Sequence, residues 1–187
     1  SIAPYWYDVN DNKKTWTNKQ IVQRSCGKFR REWESSSMKD KSYTPENYPI
    51  LRYGDVLLML AEAENEAHQG PTDLAYECIN EIRQRAGISK LEGLSYTDFQ
   101  QAVRDERARE LCFESLRKYD LVRWGIYVEA VHDKLGAATQ DKRWATGNQF
   151  IGARDYAART QEKHQFLPIP TKELDVNGKL EQNKYWQ

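Results

Sequence analysis

From Pro49 onward, apolar positions recur at helical spacing through most of the chain. The stretch YPILRYGDVLLMLAEAENEAHQG places Tyr53, Val56, Leu57, Leu60, Ala61 and Ala63 on a 3.6-residue period and stops at Gly70. Pro71 then suits the first turn of a second helix, with Ala75, Cys78, Ile79, Ile82 and Ala86 as its stripe and Gly87 as its left-handed stop. So short a connection predicts an antiparallel helix hairpin. A third helix is predicted from Ser95, where Ser95 and Asp98 have capping-box spacing with Asp in place of Glu, to about Leu116. Leu121 to about Leu135 is helical in tendency with Trp124 facing inward. Shorter helical pieces are expected around Ala153–Thr160 and, after the Pro-punctuated strip FLPIP, at Thr171–Leu174.

Residues 1–48 read differently: polar, aromatic and irregular, with short strands expected around Gln20–Arg24 and Lys28–Trp33 and an exposed loop at 35–41. The expected organisation is an irregular aromatic-rich segment, 1–48, followed by a helical scaffold with an extended tail, 49–187. The fold class is mostly α, built of tetratricopeptide-like helix pairs in an α-α superhelix with irregular loops and short strands.

The third helix carries an unusual face. At about 100° per residue, Glu106, Glu110 and Arg117 fall beside Phe99, Val103 and Phe113, so charges on a buried face must be paired. Arg107, Arg109, Arg117 and Arg123 lie in the same run, while Arg52, Asp55, Arg83 and Arg85 sit at helix ends nearby. A structural network of Arg52, Glu106, Glu110, Glu114, Arg117, Asp120 and Arg123 is the expectation, with Asp120 placed to cap the following helix. The competing reading of such carboxylates is a glycoside hydrolase pair, using Glu110 or Asp120. Glu106 and Glu110, however, are one turn apart on one face, not opposed across a cleft.

Composition narrows the function classes. Of the 187 residues 30% are charged, with a formal net charge of zero, which lacks the basic excess of a nucleic-acid binder. No run approaches the ~18–20 apolar residues of a membrane span, and the first segment does not read as a signal peptide. The chain starts at Ser1 and opens abruptly, so it is read as a piece of something longer. Cys26, Cys78 and Cys112 have no metal-type spacing, and Cys78 and Cys112 fall in helical pattern as small core residues. His68, His132 and His164 are scattered. No Gly-rich phosphate loop or Ser/His/Asp arrangement is present, nor a pair of Glu-x-x-His motifs supplied by two facing helices, so no catalytic residue, metal or cofactor is expected.

Four blocks in order, YPILRYGDVLLMLAEAENE, AYECINEIRQRAGI, ERARELCFESLRKYDLVRWG and FLPIPTKELDVNGKLEQN, resemble the SusD/RagB family from Tyr48 to Asn183. Members are much longer, so the chain resembles their C-terminal part. The resemblance implies a mostly α, SusD-like fold and a surface lipoprotein of the outer membrane whose lipid anchor lies outside this chain. It further implies capture of oligosaccharide or another nutrient for a SusC-type TonB-dependent transporter, with no chemistry of its own.

Ligand contact is expected from the aromatic segment, because sugars stack C–H faces on rings while hydroxyls want nearby amides and charges. Trp6, Tyr7, Trp16 and Trp33 are the candidates, with Trp144 in DKRWATGNQF as another. The alternative for each is a ring that pins an irregular segment to the helices. The alternative for the whole is a helical-repeat scaffold that binds only proteins.

Overall fold

The computed structural model describes residues 5–7, 10, 12–17, 26–30, 33, 47–139 and 148–187. The chain divides into two compact units, one of Ser1–Trp16 with Arg24–Arg117 and one of Thr17–Gln23 with Lys118–Gln187.

In the first unit a small antiparallel hairpin pairs β1 (Tyr5–Tyr7) with β2 (Lys13–Thr15), Trp6 standing opposite Lys14. These are not the strands the sequence suggests. Gln20–Arg24 and the loop at 35–41 lie outside the described residues. Within Lys28–Trp33 the described positions are bends at Lys28 and Phe29 and a Trp33 N–H that returns to the Arg30 carbonyl at 2.9 Å, and Phe29 takes a left-handed φ of 53° that a strand does not accommodate.

Three helices follow: α1 (Tyr53–His68), α2 (Asp73–Arg85) and α3 (Tyr96–Glu110). The α1–α2 connection is tight because Gln69, Gly70 and Thr72 each satisfy a helix end, while Pro71 lies before the Thr72 cap and not in the first turn of α2. Gln69 adopts φ 54° and the N–H groups of Gln69 and Gly70 both return to the Asn65 carbonyl, closing α1. Thr72 then accepts from Ala75 N at 3.1 Å to cap α2 and donates to Glu64 at 2.8 Å. Ser95 caps α3 by accepting from Asp98 N, but its hydroxyl also donates to the Asp98 carboxylate, in place of the reciprocal half of a capping box.

Leu57, Leu58, Ala61, Ala75, Cys78, Ile79, Ile82, Phe99 and Val103 form the core of this unit, with Tyr76 edge-on to Phe99 at 5.1 Å. Each large side chain buried here contributes about 1.5–3 kcal/mol. Burial also pushes the Cys78 thiol up, helped by the charges of Glu77, Glu81 and Glu64. On α1 the buried face is rotated from the expected one: Leu58 and Asn65 are inside, whereas Tyr53, Val56, Leu60 and Ala63 are exposed. Both α2 and α3 pack on α1, so the inward arc centres between them, and Ala86 at the end of α2 is exposed as well.

α3 stops at Glu110, not near Leu116. Phe113 and Ser115 take left-handed φ values of 66° and 62°, and Leu111 fills the inward position while Phe113 is 53% exposed. Each such residue costs roughly 1–2 kcal/mol. The turn offsets this with new bonds, since it returns Glu114 to the start of the helix layer, where Tyr48 Oη donates to its carbonyl at 2.9 Å. Cys112 therefore sits half-buried in the turn, beyond the helix.

The second unit contains α4 from Lys118 on (the helix is Arg117–Arg123), α5 (Tyr127–Ala130), a π-helical segment Val131–Gly136 running into α6 (Ala137–Thr139), α7 (Asn148–Arg159) and α8 (Thr171–Val176). The single helix expected from Leu121 to Leu135 is broken at Gly125, whose φ is 70°. Leu121, Tyr127, Val131 and Ala157 form its core, against which Trp124 packs half-buried.

Candidate ligand-binding site

The charged face of α3 meets an arginine from each neighbouring helix. Glu106 accepts from Arg83 of α2 at 2.8 Å, and Arg107, itself buried, donates to Asp55 of α1 at 2.8 Å. Glu110 divides its carboxylate between Arg52, at 3.0 Å to Oε1, and Arg85, on Oε2. Glu114 accepts from Arg52 Nε and Nη2, both at 2.8 Å, and from Lys28. Lys28 also donates to the Glu110 carbonyl at 2.6 Å. Burial alone would push the Glu114 carboxyl up, but the hydrogen bonds and charges of Arg52 and Lys28 outweigh it and hold it below the ordinary carboxylate value. Gly54 leaves room for this arrangement, because a Cβ there would stand 3.2 Å from Glu110 Oε1.

Above these groups lies a cavity of about 460 Å³, lined by Gly27, Lys28, Phe29, Arg30, Trp33, Arg52, Arg85, Glu110 and Glu114. Arg52, Glu110 and Glu114 supply fixed polar groups, while Trp33 is 65% exposed. Phe29 lies 6.4 Å from the Tyr48 ring, and the Arg30 guanidinium sits 4.2 Å from the Tyr5 ring and 5.6 Å from that of Trp33. Rings beside charged hydrogen-bonding groups can hold a ligand with an apolar face and a polar edge.

The predicted ligand residues separate. Trp33 lines the cavity. Trp6 and Trp16 do not line it: their half-buried rings lie against each other at 5.7 Å beside the hairpin. Their indole N–H groups are sheltered and have no partner among the described residues. The Tyr7 side chain and Trp144 lie outside what is described. The predicted ion network also separates. Arg52, Glu110 and Glu114 come together at the cavity and Glu106 pairs beside them, whereas Arg117 donates to the Arg104 carbonyl at 3.1 Å. Asp120 lies within α4, not before it, and pairs with Arg123 of the same helix at 3.0 Å, while the Arg123 guanidinium covers the Trp124 ring at 4.7 Å. Phe29 and Arg30 are cavity residues the sequence reading passed over. The signal is GKFRREW, where two rings lie among three cations.

The model of the SusD family matches residues 3–186. The chain belongs to the SusD family. Among curated SusD-family relatives, the SusD-like protein P25 of Formosa agariphila is 40% identical over 139 residues, 72% of this chain and 23% of that protein. The SusD-like protein P2 of the same organism is 29% identical over 148 residues, 73% of this chain and 25% of that one. Among solved structures, a SusD homolog from Bacteroides thetaiotaomicron is 39% identical with a TM-score of 0.60, covering 72% of this chain and 26% of that one. A SusD superfamily protein from Bacteroides vulgatus is 30% identical with a TM-score of 0.53, covering 73% and 27%. The chain thus spans about a quarter of the length of the SusD-family proteins it matches. The mostly α, SusD-like fold is shared with them.

Proposed function

We propose that this chain is part of a non-catalytic surface protein that captures oligosaccharide and passes it to a SusC-type TonB-dependent transporter. In this reading the whole protein is an outward-facing lipoprotein of the outer membrane. Membership of the SusD family supports it, and the observation that carries it to a site is the exposed Trp33 ring above the Arg52–Glu110–Glu114 cluster. No helix among the described residues is long and apolar enough to cross a membrane.

The carboxylates favour binding over hydrolysis. A glycosidase needs one acid with a raised pKa and a partner across a gap of roughly 5–10 Å. Glu114 is held low, and Glu110 and Glu114 share the guanidinium of Arg52. Among the described residues no group of three or more His, Cys, Asp or Glu is placed to hold a metal. The test is calorimetry of the chain against a panel of oligosaccharides, with product analysis after incubation. Binding without cleavage is expected; cleavage that disappears in Glu110→Gln with the fold intact overturns the reading.

The outward stripe Tyr53, Val56, Met59 and Leu60 on α1 favours a second reading, that this helix face docks protein. A Val56→Lys, Leu60→Lys variant that keeps sugar binding but loses the transporter separates the two roles.

A further inference from the structure

The cavity under Trp33 is biased in charge. Among its described lining residues, Lys28, Arg30, Arg52 and Arg85 face only two carboxylates, Glu110 and Glu114, and with Arg30 set aside the cations still outnumber the acids. The cations differ in what they have left to give. Arg52 donates four hydrogen bonds, to the Glu110 and Glu114 carboxylates and the Glu110 carbonyl, and Lys28 donates to the same two residues. Arg85 uses one N–H on Glu110 and is 57% exposed, so most of its five-donor fork points at no protein acceptor among the described residues. A guanidinium fork held in place by one ion pair matches a carboxylate or sulfate in two-point geometry.

We infer, resting on the reading that this cavity takes a sugar, that its ligand is an acidic saccharide. The sugar ring lies on Trp33 and its anionic substituent on Arg85. A neutral sugar would leave the excess positive charge uncompensated as the cavity loses water, whereas an anion balances it.

The experiment compares two matched pairs by calorimetry with the chain. One pair is the trimer of α-1,4-galacturonic acid and its methyl ester; the other is carboxymethyl and hydroxyethyl cellulose oligomers. Tighter binding of the acidic member, by roughly tenfold at low salt, is expected, with the gap narrowing as salt screens it. Arg85→Gln should bring the members of each pair together, Arg85→Lys should keep part of the preference, and Trp33→Ala should weaken both members. Equal binding of acid and ester in the unaltered chain overturns this inference but leaves sugar binding standing. Absence of binding to all four overturns the sugar reading itself. Displacement of the trimer by sodium sulfate beyond that by sodium chloride of equal ionic strength, together with an affinity for the trimer that Trp33→Ala leaves unchanged, would mark a simple anion site and overturn the saccharide assignment.

Discussion

Arg52 grips Glu114 through one edge of its guanidinium, Nε on Oε2 and Nη2 on Oε1, each at 2.8 Å, across 62 residues of sequence. One guanidinium thereby ties the residue before α1 to the turn after α3. The same group reaches Glu110 through Nη1, so the last residue of α3 and the turn beyond it share one anchor.

Glu110→Ala should lower the stability of the chain by about 2 kcal/mol. Most of that comes from Arg52, left with one partner fewer in a sheltered site. Arg85 is largely exposed and adds little. The urea midpoint at unchanged m-value measures it. A change under about 0.5 kcal/mol would show that this face of α3 is solvated.

Glu114 makes stability depend on acid. Its carboxyl is held below the ordinary value in the fold, so the folded state binds the proton less tightly than the unfolded one. Its contribution is complete above the unfolded pKa of about 4.3 and is lost as pH falls through the folded value. Glu114→Gln should therefore flatten the stability profile on the acid side while lowering stability at neutral pH. A profile of unchanged slope would mean that other carboxylates govern acid unfolding.

Tyr127 marks the alkaline side. Burial, the hydrogen bond with Tyr156 and the charge of Tyr156 push its hydroxyl up to about 12. The folded group holds its proton more tightly, so this contribution is whole below the ordinary tyrosine value of about 10 and is lost as pH rises towards 12. Ultraviolet titration should show a late tyrosine ionisation towards pH 12, and Tyr127→Phe should remove that step.

Trp33 and the Trp6–Trp16 pair should respond differently to truncation. Loss of the exposed Trp33 ring should weaken sugar binding about tenfold with little change in stability, since one stacked ring contributes about 1–2 kcal/mol. Trp6→Ala or Trp16→Ala should instead lower the melting temperature and leave affinity near its starting value. Calorimetry and thermal melts on the same three variants distinguish these outcomes, and a reversed pattern would place the ligand at the hairpin.

The helices were legible because their signals are local. Ser95, Gly87 and the stripe of Ala75, Cys78, Ile79 and Ile82 each act within a turn or two of themselves. The end of α3 was not legible. No glycine or proline marks it, and Phe113 and Ser115 accept left-handed backbone because distant groups, Lys28, Tyr48 and Arg52, reward the turn. The inward face of α1 was misread for a related reason. Val56 and Leu60 are apolar like Leu57 and Leu58, so period alone does not say which arc faces α2 and α3. For the site, the charged residues and Trp33 were each visible in the sequence. Their meeting in one cavity depends on Lys28 and Arg30, brought from a segment with no regular period.

Two side-chain amides act as substitute strands. Asn80 accepts from Leu91 N at 2.7 Å and donates to Leu91 O at 2.9 Å, and Gln182 does the same for Ile169 at 2.8 and 2.9 Å. A residue bracketed in this way has the N–H of one peptide group and the carbonyl of the next held by a single side chain, so an opening that draws the residue away from that side chain breaks both bonds. In hydrogen exchange these two loop amides should behave as if they belonged to a sheet, slow islands within segments that otherwise exchange quickly. Asp or Glu cannot reproduce this, since a carboxylate accepts but does not donate. Deamidation at Asn80 or Gln182 would thus unfasten a loop without altering the size of a single side chain.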